Sequence, residues 1–303
     1  MKLFSNYLQK PDNTSSEITN WQDNCINDSL LYSYRDTSYS RKTYPSNMHY
    51  HDYYEIIIIE EGDISYVCES SVYFPTPTDI VVIPPRKLHM SKINSDFTRY
   101  KRHVFYLYPD AFDNVAKDTL VSFMTTAQNG ALFKFSTPDD KAECMNLLGK
   151  LKTVLNKKHG SIENALGYAY IIELFCLLNQ RNVRTHNEIF ELPQSILEIK
   201  SYLDENFAEI SSVTEIAEHF FYSREYVSRL FKKHFDTTVI DYIHKRRISE
   251  SQKLIANGSS VIDACYKVGF GSLSSFIRVF KEITDMKPSE YRSLTCGNTQ
   301  TQK

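Results

Sequence analysis

The chain has 303 residues, a formal net charge of −2, 42% hydrophobic residues and 24% charged residues. These values are ordinary for a soluble globular protein with room for two domains, and they exclude an overall polycation, so any surface for nucleic acid must be local. The six cysteines are scattered without a CxxC pair, which favours reduced thiols over a disulfide framework or a zinc cluster. With neither a membrane-length apolar run nor a signal-peptide pattern, we expect a cytoplasmic protein without a membrane partner.

The region from about Leu30 to Tyr108 consists of short apolar, aromatic and β-branched runs broken by Gly, Pro and Asp. Runs of this length with regular turn signals predict an antiparallel sandwich or barrel. The clearest runs are Tyr54–Ile59, Ile64–Cys68, Ile80–Ile83 and Arg102–Tyr108. We assign residues 1–137 to this barrel.

The barrel region contains the spacing His49-x-His51-x3-Glu55-x6-Gly62, which resembles the first motif of the cupin family. The stretch Thr78–His89 resembles the second cupin motif in a degraded form, because two of its glycines and its closing Asn are replaced. Residues at i and i+2 point to the same side of a strand. We therefore expect His49, His51, Glu55 and His89 to converge inside the barrel.

Three imidazoles and one carboxylate would suit Fe, Mn, Ni or Zn, so a metal-dependent cupin enzyme is an alternative function. The resemblance to cupin-like sensor domains of bacterial regulators favours the same residues without a metal. We therefore expect no metal and no cofactor, and a pocket for a small molecule that Arg35 and Tyr54 also border. The many tyrosines of this region suit a sugar or another polar organic molecule.

From Pro138 the apolar period becomes helical, which predicts a helical hairpin over 138–180. The second helix, Ile162–Asn179, carries an almost continuous apolar face. Its members are Leu166, Tyr170, Ile171, Leu174, Phe175, Leu177 and Leu178. This face predicts either a homodimer interface or a cover for the open end of the barrel. Residues 181–192 are polar and lack periodicity, which predicts an interdomain linker.

The C-terminal region, 193–296, contains one pattern written twice, at Val213–Lys233 and Val261–Lys281. A short helical motif repeated in this way predicts two helix–turn–helix units for DNA. A helix from Val239 to Asn257 should join them, and its ~19 residues span roughly 28 Å. A helix of that length can hold two recognition helices near one turn of DNA apart, about 34 Å.

Side chains on the outward faces of the two recognition helices are predicted to contact bases. They are Arg224, Glu225, Ser228 and Arg229 in the first and Leu273, Ser274, Ile277 and Arg278 in the second. Arginine pairs with guanine and glutamate with cytosine, whereas leucine or isoleucine offers only a weaker contact with the thymine methyl group, so the first motif should dominate.

Basic residues and helix-capping serines are predicted to contact phosphates, although a solvated helix face is the alternative for each basic cluster. They are Ser223, Lys232, Lys233, Lys245, Arg246, Arg247, Ser272 and Lys281.

The segment GFGSLSSFIRVFKEITDMKPSEYR at 269–292 resembles the AraC family of bacterial transcription regulators. The resemblance covers roughly 195–295 and implies a DNA-binding regulator that acts on promoter DNA and RNA polymerase, more often as an activator. It also implies an effector, most commonly a sugar. The expected fold class is α+β, with an N-terminal cupin-like β-barrel and helical hairpin and a C-terminal all-α domain with two helix–turn–helix motifs. A regulator that needs no ligand and whose barrel only dimerises is a further alternative.

Overall fold

The computed structural model describes residues 18–41, 44, 48–108, 111–112, 122–156, 160–184 and 189–296. The chain forms two compact units. The first extends to Glu191, and the second begins at Leu192 and also includes the segment 48–50. The first unit is a two-sheet barrel with helices and the second is all-α, which confirms the α+β fold class.

Two antiparallel sheets build the first unit. The larger sheet has the strand order β1-β2-β8-β3-β6-β9-β10 and the smaller has the order β11-β5-β4-β7. The larger contains β1 (Ile18–Asn27), β2 (Leu30–Ser40), β3 (Tyr54–Glu61), β6 (Ile80–Ile83), β8 (Phe97–Leu107), β9 (Ala131–Phe135) and β10 (Asn182–Arg184). The smaller contains β4 (Ile64–Cys68), β5 (Ser71–Tyr73), β7 (His89–Ile93) and β11 (Ile189–Glu191).

The larger sheet is buried on both faces, and strand alternation decides which side chain joins which core. Ile57 and Ile59 of β3 pack between the two sheets, together with Tyr66 of β4. Ile56 and Ile58 point to the opposite face, where they pack against helices. The interior between the sheets is therefore lined by every second residue of β3 and β8.

The described residues of the first unit form three helices: α1 (Ser122–Thr125), α2 (Pro138–Leu155) and α3 (Ser161–Arg181). Thr137 caps α2, because its side chain accepts a hydrogen bond from the main-chain N–H of Asp140. This confirms the hairpin and its predicted start at Pro138.

The apolar face of α3 covers the larger sheet. Ile171, Leu174, Phe175, Leu177 and Leu178 are buried there. They therefore lie in the barrel core and not in a dimer interface. The large apolar side chains that α3 leaves exposed are Ile162, 77% exposed, and Leu166, 41% exposed. By length and composition α3 passes as a membrane span, a test that core helices of this kind also pass.

The segment 181–192 was predicted to be a linker, but the structure forms two short strands within it. Residues 182–184 pair with β9 as β10, and residues 189–191 pair with β5 as β11. Both sheets of the barrel therefore gain an edge strand from this segment, while 185–188 lie outside the described residues. A three-residue edge strand has too few positions to show an alternating pattern, which is why the sequence predicted a linker.

The second unit contains seven helices among its described residues. They are α4 (Gln194–Asn206), α5 (Val213–His219), α6 (Arg224–Phe235), α7 (Val239–Ala256), α8 (Val261–Lys267), α9 (Leu273–Thr284) and α10 (Pro288–Cys296). The pairs α5–α6 and α8–α9 are the two helix–turn–helix motifs, and α7 connects them, as predicted from the repeat.

Candidate ligand site and nucleic-acid interface

Three of the four residues predicted to converge, His51, Glu55 and His89, belong to the barrel unit and lie together inside it. Nε2 of His51 and Nε2 of His89 each lie 3.3 Å from Oε2 of Glu55. Both imidazoles are almost fully buried, at 4% and 2% exposure. His49 belongs to the segment 48–50 of the second unit, so the barrel unit supplies three of the four.

Hydrogen bonds orient both imidazoles towards Glu55. Nδ1 of His51 lies 2.8 Å from the carbonyl oxygen of Tyr53, and Nδ1 of His89 lies 2.8 Å from that of Lys87. A carbonyl can only accept, so each Nδ1 carries a proton and each Nε2 faces the carboxylate. Burial alone would raise the pKa of Glu55, but the imidazoles of His51 and His89 beside the carboxylate hold that pKa well below its usual range.

With Nδ1 as the donor, each Nε2 faces the Glu55 carboxylate as one acceptor facing another, and a proton or a metal ion between them would make the contact favourable. A proton on Nε2 makes the imidazole an imidazolium that donates to Glu55. A divalent ion is the other solution, because neighbouring ligands at bond lengths of about 2.1 Å lie roughly 3.0–3.4 Å apart. The trio fits both, and the absence of a metal stays a prediction.

The other two predicted pocket residues lie in different places. Tyr54 packs with the helix-side core, on the opposite face of β3 from Glu55. It does not line the interior, because neighbouring residues of a strand point to opposite faces. Arg35 is on the interior side of β2, where its Nε donates to Oγ of Ser33 at 3.0 Å and its guanidinium lies 4.0 Å from Asp23.

The sequence interpretation missed Arg102, which is also an interior residue. On β8 it lies on the same face as Tyr100 and Val104, both of which pack between the sheets. Its guanidinium carbon lies 4.0 Å from the centre of the Tyr100 ring. The period of two on this strand was a sufficient signal, because Arg102 lies two residues from Tyr100 and two from Val104 in the sequence.

The first recognition helix, α6, presents the polar face that the sequence predicts. Arg224, Glu225, Ser228 and Arg229 are all exposed, whereas Val227 is buried on the opposite side. Neither arginine is paired with a carboxylate of the described residues. Both guanidinium groups are therefore available to an outside partner.

The second recognition helix, α9, differs from the prediction at two positions. Leu273 and Ile277 are half-buried and pack against the core around Phe276. The apolar stripe of α9 is wider than expected, and these side chains do not face outward. Ser274 and Arg278 are exposed, but Nη1 of Arg278 is held at 2.8 Å by Oε1 of Glu282.

The predicted phosphate cluster on α7 is largely structural. Arg247 donates to the carbonyl oxygens of Phe207 and Ile210, each at 2.8 Å, and so caps the end of α4. Nε of Arg246 lies 2.9 Å from Asp204. Lys245 is half-buried, and burial lowers its pKa. A sequence displays these charges but not their internal partners. Arg246 and Arg247 are held by groups of the protein, and their phosphate contacts stay a prediction.

The remaining phosphate candidates are exposed. Lys232, Lys233 and Lys281 lie on the outer faces of α6 and α9, and Lys232 also pairs with Asp236 at 3.0 Å. Ser223 and Ser272 are N-caps whose oxygens accept from the helix, as the sequence predicts. A capping hydroxyl still has its own proton to donate to a phosphate.

Two families match the chain: the AraC-like ligand binding domain over residues 34–175 and a helix-turn-helix domain over residues 216–293. An uncharacterized HTH-type transcriptional regulator of Bacillus subtilis, YbfI, is 26% identical over 234 residues, which cover 75% of this chain and 79% of that protein. The HTH-type transcriptional activator RhaS of Enterobacter sp. (strain 638) is 23% identical over 253 residues, covering 80% and 86%. A solved structure of ToxT from Vibrio cholerae covers 88% of this chain at 16% identity, with a TM-score of 0.36 and 99% of its own chain matched.

Proposed function

The chain belongs to the AraC family of DNA-binding transcription regulators, and we propose that it is a one-component regulator whose barrel senses a small molecule. In this proposal, the effector enters the barrel and changes how the two helix–turn–helix motifs bind promoter DNA. A sugar or another small polar molecule is the proposed class of effector. Activation through RNA polymerase is the proposed output, and the cytoplasm is the proposed location.

The main support for the proposed sensing role is the charged interior of the barrel. A barrel that served packing alone would have an apolar interior, because buried charges cost free energy unless they are paired. This interior instead holds Glu55, His51 and His89 within 3.3 Å contacts. Polar groups gathered inside an otherwise apolar barrel are typical of a small-molecule site.

The outer face of α6 supports the DNA contact that we propose for this chain. Arg224 and Arg229 would pair with guanines, while Glu225 and Ser228 would contact neighbouring bases. On α9, Ser274 and Arg278 remain as base contacts. Phosphate contacts would come from the exposed lysines and the two capping serines, so DNA affinity should fall steeply as salt increases.

Self-association would use the exposed part of α3. Ile162 and Leu166 lie one helical turn apart and are exposed. We therefore propose a homodimer through this end of the helix. Light scattering on the full chain at micromolar concentration tests it, and a monomer would count against it.

The test of the regulator is the DNA that the full-length protein retains from fragmented genomic DNA. We expect a small set of enriched sites, lost at high salt. The same binding assay is then repeated with sugars and small organic acids, and thermal unfolding is followed in parallel. A compound that shifts both the Tm and the operator affinity supports sensing, whereas a protein indifferent to every compound is a ligand-independent regulator.

The orientation of His51 and His89 gives specific support to one rival, a metal-dependent cupin enzyme. We propose instead that this trio binds the effector without a catalytic metal. Metal analysis of the purified protein decides between them. Stoichiometric iron or manganese would overturn our assignment, while substoichiometric traces would agree with it.

A further inference from the structure

Arg102 lies between the two sheets with part of its hydrogen-bonding capacity unused. Its Nη1 atom is buried and makes no hydrogen bond among the described residues. The guanidinium stacks over Tyr100, with 4.0 Å between Cζ and the ring centre. Stacking uses the face of the guanidinium plane and leaves the N–H groups at its edge for a partner.

A second arginine faces the first across the sheet. Arg35 of β2 is the direct cross-strand partner of Arg102 on β8. Directly opposite residues of antiparallel strands point to the same face, and like charges in that arrangement are destabilising. The barrel therefore brings two positive charges together on its interior side.

The described residues compensate only one of these charges closely. Arg35 has Asp23 at 4.0 Å, and Arg102 has no ion pair with any described carboxylate. The side chains around Arg102 are phenols, including Tyr44, Tyr66 and Tyr100. Burial raises the pKa of each of these tyrosines above its usual value, so they are neutral at physiological pH and supply no counter-charge.

From this arrangement we infer that the effector carries an anionic group, a carboxylate or a phosphate, that binds the edge of the Arg102 guanidinium. The inference rests on the proposed sensing function and specifies its ligand. Arg35 adds a second positive charge across the sheet. The hydroxyls of Tyr66 and Tyr100 share one hydrogen bond, so one of the two keeps its proton to donate to a remaining oxygen. A sugar acid or a sugar phosphate combines this anionic group with the polar body that the tyrosines suit.

An arginine that only stabilises the fold should have a carboxylate partner within the protein. Arg99 provides the comparison, because it lies on the same strand and its Nε and Nη2 atoms donate to Asp36 at 2.8 Å each. Two nitrogens of the Arg99 guanidinium are thus held by one carboxylate of the protein. Arg102 has the burial of a structural arginine without the paired carboxylate.

The experiment compares thermal unfolding of full-length wild type, Arg102→Met, Arg102→Lys and Arg99→Met. The probes are matched anionic and neutral compounds at constant ionic strength: acetate with acetamide, galacturonate with galactose, and glycerol 3-phosphate with glycerol. We expect at least one anion to raise the wild-type Tm by several degrees more than its neutral partner. The carboxylate and phosphate pairs then show which anion is preferred.

Arg102→Met should weaken the stabilising anion by about 10- to 100-fold, the effect of losing charge-assisted hydrogen bonds. Arg102→Lys should keep a reduced preference for the anion, because it retains the charge but not the planar fork. Arg99→Met should respond as the wild type does. Without ligand, Arg102→Met should unfold at the wild-type temperature or higher, because it removes an unpaired buried charge.

An equal response to anionic and neutral partners would overturn the inference and leave sensing intact. The inference also fails if no anion stabilises the wild type or if Arg102→Met responds like the wild type. A large loss of Tm in both Arg102 variants without ligand would assign Arg102 to the structure and also overturn it. Failure of the proposed function is a separate result, since it would appear as operator binding that no compound of either charge alters.

Discussion

The two helix–turn–helix motifs begin and end their recognition helices in the same way. Ser223 and Ser272 cap α6 and α9 with equivalent side-chain hydrogen bonds. Asp236 and Asp285 end these helices in the left-handed conformation, at φ of 49° and 57°. The local signals that define the helices have therefore been kept in both copies.

The two motifs differ in the turn and on the outer face. The left-handed position of the turn is Phe221 in the first motif and Gly269 in the second, each donating to the carbonyl three residues before it. On the outer face, Arg229 of α6 has no carboxylate partner among the described residues, whereas Arg278 of α9 is paired with Glu282. The repeat thus preserves the scaffold while the chemistry of the outer face diverges, so we expect the two motifs to contribute unequally to DNA binding.

The largest difference should appear in the two turns. Gly269→Ala should reduce the free energy of unfolding of the helical unit by about 2–4 kcal/mol, because an added Cβ would overlap the main-chain carbonyl of Ala208. Chemical denaturation of the full chain measures this. Gly258→Ala is the matched control, since it has a positive φ but open space around its Cβ, and it should cost only about 1 kcal/mol. If both variants lost the same free energy of unfolding, the positive φ alone would explain the cost of replacing Gly269, and the contact with Ala208 would not.

The next largest difference should appear in DNA affinity. Arg229→Ala should weaken operator binding by about 1–3 kcal/mol, the range for losing a specific arginine–base contact. Ser274→Ala should cost much less, because one hydroxyl contributes a weaker contact. Fluorescence anisotropy with a selected operator duplex gives both Kd values. Equal losses would contradict the asymmetry.

Relief of strain at Phe221 should have a smaller effect. Phe221 has φ of 57° and its side chain is 96% exposed. Phe221→Gly should therefore stabilise the helical unit by about 1 kcal/mol, because a left-handed conformation is costly for a residue with a Cβ. Phe221→Ala removes the ring but keeps the Cβ and should bring no comparable gain. A lower stability of the glycine variant in denaturant titration would contradict this explanation.

The smallest effect should come from releasing Arg278. Glu282→Gln removes the carboxylate at 2.8 Å from Nη1 of Arg278 and should strengthen operator binding by about 0.5–1 kcal/mol. The double variant with Arg278→Ala separates two causes. If the gain persists without the arginine, the change of net charge explains it and the release of Arg278 does not.

Local patterns in the sequence predicted most of the second unit. The repeat located both motifs, and the capping serines and left-handed aspartates marked the helix ends because these signals depend on neighbouring residues only. Phe270, an apolar residue of the second turn, is 5% exposed and packs in the core. The internal partners of Arg246 and Arg247, which are Asp204 and the end of α4, were not predicted because they are distant in sequence.

The barrel was predicted as a class but less well in its details. Alternation placed Glu55 correctly, and the same rule applied to Tyr54 would have excluded it from the interior. The role that we propose for Arg102 depends on the pairing of β8 with β2, because this register places Arg35 directly opposite Arg102. Strand register and counter-charges are properties of the folded chain, and a single sequence does not display them.

The most direct test of the two unequal DNA-binding motifs is selection of bound sequences from a random DNA library by the full-length protein. We predict two blocks of sequence preference about 10 base pairs apart, as expected for two recognition helices in successive major grooves. One block should be strongly defined and contain guanines, and Arg229→Ala should erase preference there alone. Two equally defined blocks, or a single block, would contradict the unequal roles of the two motifs.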